Sequence, residues 1–124
     1  MKLSVFSSIW AIIYLIFGVG LLLIPLTFMK TYGVTLDHEG EFMTRILGSS
    51  LTAFGLIYRF NRNIPATDRG QANLLLGSFI YNLLDIPVVL MATLNGYMNT
   101  FGWGPIALHV FLAVTFGYFV FKRD

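Results

Sequence analysis

A chain of 124 residues that is 56% hydrophobic and only 11% charged has too few polar side chains to cover a water-exposed surface, since about a quarter of the residues of soluble domains are charged. A net charge of +2 gives nucleic acid no footing, and the absence of cysteine excludes disulfides, thiolate nucleophiles and thiolate-held metals. The solvent that suits this composition is lipid, and the expected fold class is all-α integral membrane, with four transmembrane helices in one antiparallel bundle over residues 1–124.

The first element is an uncharged run over residues 3–29, behind Lys2. It outlasts the roughly 7–15 apolar residues of a signal peptide, and Leu23-Ile24-Pro25-Leu26 offers no small-residue cleavage site. Residues 5–28 therefore read as a retained span, long enough at about 1.5 Å per residue to cross a core of roughly 30 Å. Gly18 and Gly20 permit close helix contact, and Pro25 should kink or end the helix.

Residues 31–41 form an acidic loop. Tyr32-Gly33 signals a turn, Thr35 or Asp37 is placed to cap a helix, and Glu39 and Glu41 suit the positive end of the second span. With His38, these acids could also hold a cation, although a solvated acidic loop is the simpler reading.

The second span covers residues 42–60. Its uncharged centre, residues 46–58, is only thirteen residues long between Arg45 and Arg59, too short for the hydrocarbon core. An arginine must snorkel or be accommodated inside. Gly48, Thr52 and Gly55 form a ridge of small residues at helical spacing, with Ser49 beside it. A polar loop with Arg62, Pro65, Asp68 and Arg69 comes next. The third span, residues 71–94, carries Asp85 and Pro87 and ends at the turn signal Asn95-Gly96. The fourth, residues 101–121, accepts Pro105 in its first turn and contains His109.

With four spans, Lys2, Arg59, Arg62, Arg69, Lys122 and Arg123 fall on one side and Lys30 alone on the other. The positive-inside bias places both termini in the cytoplasm and Tyr32, Tyr97 and Trp103 at the outer interface.

Arg45, Asp85 and His109 are ionisable groups inside apolar segments, and such groups are functional candidates by default. On this topology they lie about 6, 13 and 12 Å below the outer interface. Ser78, Asn82 and Asp85 share one face of the third span, and Arg45, Ser49 and Thr52 share one face of the second. The site candidates for ligand binding or proton carrying are thus Arg45, Asp85, His109, Asn82 and Ser49. Three readings of Arg45 and Asp85 stay open: a structural ion pair, an acid lining a ligand or proton path, and an arginine that snorkels away from its acid. His109 reads as a packing residue or as a proton relay with Asp85. Asp85 and His109 supply two metal ligands where a zinc site needs three or four, so no metal is assigned. No nucleophile–base–orienter set stands out, so no catalytic residue is assigned.

Arg45-Ile46-Leu47-Gly48, the glycine-bearing first span ending at Leu23-Ile24-Pro25, and the acid at Asp85 resemble small bacterial four-span membrane proteins of the DoxX-like kind. The resemblance implies a compact four-helix bundle in a bacterial inner membrane, and some DoxX-like proteins are associated with redox enzymes as membrane subunits. The expected function is a non-enzymatic inner-membrane protein that binds a hydrophobic small molecule or lipid, or an accessory subunit of a larger membrane complex. The alternative is an oligomeric proton-coupled transporter or channel using Asp85. A membrane enzyme acting on a lipid-soluble substrate at the same residues ranks third. No cofactor is predicted, a bound lipid or quinone being the group such a site would hold. The expected partners are the bilayer and either a second copy of the chain or a larger complex.

Overall fold

The computed structural model describes residues 1–122, so Arg123, counted with the basic residues of the cytoplasmic end, and Asp124 lie outside the described residues. Every regular element among the described residues is helical: α1 (Leu3–Leu23), α2 (Pro25–Lys30), α3 (His38–Phe60), α4 (Arg69–Leu94), a 3-10 turn (Thr100–Gly102) and α5 (Trp103–Phe121). The chain divides into two compact units, Met1–Asn63 and Ile64–Asp124.

In the first unit α1 and α3 run antiparallel. A Cβ on Gly18 would fall 2.5 Å from the Thr52 nitrogen, and one on Gly48 would fall 2.5 Å from the Leu22 nitrogen. Gly55 sits against Leu15 and the Ala11 carbonyl. The small-residue ridge of the sequence is therefore a backbone-to-backbone seam. Below it the seam fills with rings: Tyr14 lies 4.2 Å from Trp10, 5.9 Å from Phe54 and 6.0 Å from Tyr58, centroid to centroid.

The first span is shorter than expected. It stops at Leu23, because Pro25 has no N–H to continue the ladder and instead opens α2. The short α2 folds its Phe28 ring onto Phe17 and against Gly20. Gly33, at φ 76°, makes the turn beyond it. The Asp37 carboxylate then caps α3 by accepting the Gly40 N–H at 2.7 Å, and Glu39 and Glu41 occupy its first turn. That cap starts α3 four residues before the apolar sequence does.

In the second unit α4 and α5 form another antiparallel hairpin. Asp68 caps α4 through the Gln71 N–H at 3.0 Å, and Gly96, at φ 77°, makes the turn beyond its C-terminus. Phe79 packs over Gly117 and edge-on to Phe121, while Thr93 lies against Gly102 at the other end. Pro87 stands inside α4 and leaves the Leu83 carbonyl without its helical donor.

Among the described residues three helices are long and apolar enough to cross a membrane: Leu3–Leu23, Arg69–Leu94 and Thr100–Phe121. Their outer faces fit that solvent. Val5, Ile9, Ile12, Ile16, Val19 and Leu23 form a stripe along α1, each at least 40% exposed. Glu39, Glu41, Arg45 and Arg59 set α3 apart from these three.

Candidate functional site

Within the second unit Asn82, Asp85 and His109 come together. Asn82 is fully buried, and its Nδ2 donates to the Ser78 carbonyl at 2.8 Å. A carbonyl only accepts, so this bond fixes which end of the amide faces away from it. The Asn82 Oδ1 then lies 2.9 Å from His109 Nδ1. An amide oxygen also only accepts, so Nδ1 must carry the hydrogen.

The consequence falls on the other ring nitrogen. His109 Nε2 lies 3.5 Å from Asp85 Oδ2. With Nδ1–H fixed by Asn82, a neutral ring would turn a bare lone pair toward the carboxyl group. That approach is repulsive if Asp85 is ionised and attractive if one proton lies between the two atoms, on either side. Tyr81 stands one turn before Asp85 on the same helix, and its ring meets the imidazole edge-on at 6.0 Å. The Asp85 and His109 side chains are 30% and 14% exposed, so the pair is sheltered yet reachable.

A stripe of polar residues leads to this centre. Gln71, Ser78 and Asn82 are buried on the face of α4 that carries Asp85. The stripe runs about 21 Å along the helix, most of the thickness of a hydrocarbon core. Among the described residues the Gln71 Nε2 is buried without a hydrogen-bond partner.

Arg45 and Ser49 take different places. The Arg45 Nη2 pairs with Glu41 Oε1 at 2.9 Å, and Nη1 donates to the Leu22 carbonyl. Pro25 and the end of α1 leave carbonyls without helical donors, and a cation at a helix C-terminus is favoured by the macrodipole. Arg45 thus caps α1 from α3, inside the first unit. Ser49 is exposed and donates to the Arg45 carbonyl of its own helix. The acidic loop is used locally in the same way: Asp37 as a cap and Glu41 as the partner of Arg45. Among the described residues no three of His, Cys, Asp and Glu converge to hold a metal.

Tyr81, Gln71 and Glu41 are not among the site candidates that the sequence suggests. Tyr81 and Glu41 each stand four positions before one that is, Asp85 and Arg45 respectively, which is helical contact distance. Gln71 reads in the sequence only as the margin of a span.

These features define an all-helical protein with apolar helices suited to a membrane and an ionisable centre within one helical hairpin. Compared with protein-family models, curated proteins and solved structures, the chain matches none of them.

Proposed function

We propose that the chain is a multi-pass membrane protein whose α4–α5 hairpin takes up and releases a proton, as the working centre of an oligomeric proton-coupled carrier or channel. The observation that carries this reading is the fixed Nδ1–H of His109, which leaves Nε2 and Asp85 Oδ2 to share one proton. In each cycle a proton arriving at Asp85 moves between Oδ2 and Nε2 while Asn82 retains Nδ1–H, so His109 is the end of the relay rather than a link through it. The buried stripe from Gln71 to Asp85 supplies a polar approach through an otherwise apolar helix.

Binding of a hydrophobic small molecule or quinone at the same cluster is less well supported. Both ring nitrogens of His109 and both ends of the Asn82 amide are already engaged, so a ligand would find few free hydrogen-bonding groups there. In the proposed carrier α3 crosses the membrane as a fourth span, its Arg45 neutralised by Glu41. Both termini are cytoplasmic on the strength of the basic-residue bias, and the DoxX-like resemblance points to a bacterial inner membrane.

The test is proton movement into vesicles that contain the purified protein and a trapped pH-sensitive dye, under an imposed pH difference. The parent should exceed empty vesicles, Asp85→Asn and His109→Gln should fall to the empty level, and Arg45→Gln should retain flux. Equal flux from the parent and Asp85→Asn would sink the reading.

A further inference from the structure

We infer that the first unit carries a binding site for one anionic phospholipid, built from residues other than those of the proposed proton-binding centre. A groove of about 320 Å³ is lined by Ser4, Val5, Ser8, Ile9, Ile12, Arg62 and Asn63. Its lining is divided by chemistry. Arg62, Asn63 and Ser4 gather where α1 begins and where the chain leaves α3. Val5, Ile9 and Ile12 follow the four-then-three spacing of one helix face and lead about 12 Å down α1 from Ser4.

This is the outline of a lipid rather than of a soluble anion. The three apolar residues are 48%, 48% and 57% exposed and belong to the long outward stripe of α1, the face a bilayer would wet. An acyl chain lying on that face continues the surrounding hydrocarbon. The polar end offers a guanidinium, whose planar fork suits phosphate oxygens, with an amide and the Ser4 hydroxyl beside it. The Ser8 hydroxyl already donates to the Ser4 carbonyl at 2.8 Å, so its lone pairs rather than its hydrogen face the groove. Lys2 and Arg59 stand near in sequence and add to the positive field at that end. A phosphodiester with a neutral or anionic head satisfies the arginine, and the net positive field favours the anionic one.

The test uses the full chain in detergent micelles, with lipid retention counted by native mass spectrometry during titration with phosphatidylglycerol or phosphatidylcholine. The parent should retain one phosphatidylglycerol in preference to phosphatidylcholine. Arg62→Gln should weaken that retention about fivefold or more, and Arg62→Lys should keep most of it. Ile9→Asp should weaken retention of both lipids by breaking the acyl track, with helix content checked by circular dichroism. Inorganic phosphate added in excess should not displace the lipid. Equal retention of the two lipids, unchanged retention in Arg62→Gln, or displacement by inorganic phosphate alone would overturn the assignment. Proton flux does not enter this readout, so the site stands or falls apart from the carrier reading.

Discussion

Replacing Gly48 by alanine tests how α1 and α3 are held together. The new Cβ would lie 2.5 Å from the Leu22 nitrogen, 2.7 Å from the Gly18 oxygen and 2.9 Å from the Leu21 carbonyl carbon. All three are backbone atoms, so no side chain can rotate away. Ordinary carbon contacts lie near 3.5 Å or beyond, and the two helices must part by roughly 1 Å to restore them. Overpacking of this kind costs about 1–3 kcal/mol, against a gain of up to about 1 kcal/mol for alanine over glycine within a helix. With the full helix gain subtracted, the expected net loss is about 0–2 kcal/mol, and the full cost of about 1–3 kcal/mol separates this variant from an alanine that meets no contact. Gly77→Ala is the matched control, because its Cβ would meet nothing within 4 Å, and it should be neutral or gain up to about 1 kcal/mol. The assay is unfolding of the detergent-solubilised protein by titration with sodium dodecyl sulfate, followed by circular dichroism. If Gly48→Ala and Gly77→Ala unfold at the same point, the backbone seam does not exist as described.

Four further substitutions probe the remaining supports. Arg45→Gln should lose about 1.5–3 kcal/mol in the same unfolding assay, since it removes a charged donor to Leu22 and leaves Glu41 unpaired, and Glu41→Gln should lose less because the helix cap survives. Asn82→Leu should cost about 1–2 kcal/mol, because His109 Nδ1–H is left without its acceptor in an apolar setting. Burial holds the Tyr32 phenol above its ordinary value of 10.0. Its contribution to stability is therefore fully present below pH 10.0 and is lost as the pH rises through the folded-state value, and Tyr32→Phe should remove that alkaline loss from the unfolding profile.

Patterns local to one helix are legible in the sequence alone. The ridge Gly48, Thr52 and Gly55 becomes the α1–α3 seam, Asp37 becomes a cap, Asn95-Gly96 becomes a turn, and Ser78, Asn82 and Asp85 share a face because helical spacing dictates it. Composition and run length point to apolar spans, and three of the four expected ones are long and apolar enough. Partners across helices are harder to read. Depth along a span suggests Arg45 beside Asp85, yet depth does not tell which neighbour offers the better acceptor. The Arg45 guanidinium engages Glu41 one turn away and a carbonyl left open by the end of α1, and Asp85 lies against His109. Pro25 marks a helix end in the sequence, and the orphan carbonyls that such an end creates are the clue to where Arg45 goes. The orientation of Asn82, on which the proposed proton binding turns, depends on the Ser78 carbonyl and is invisible to residue spacing.

The most direct test of proton sharing between His109 and Asp85 is the ¹⁵N magnetic-resonance signature of His109 in bilayers as the pH is varied. The chain has two histidines, so a His38→Gln background isolates the one that matters. Nδ1 should carry a hydrogen at every pH, Nε2 should pass between bare and protonated forms, and Asp85→Asn should shift that transition. A ring with its hydrogen on Nε2 and a bare Nδ1, or an Nε2 signal indifferent to both pH and Asp85→Asn, would contradict it.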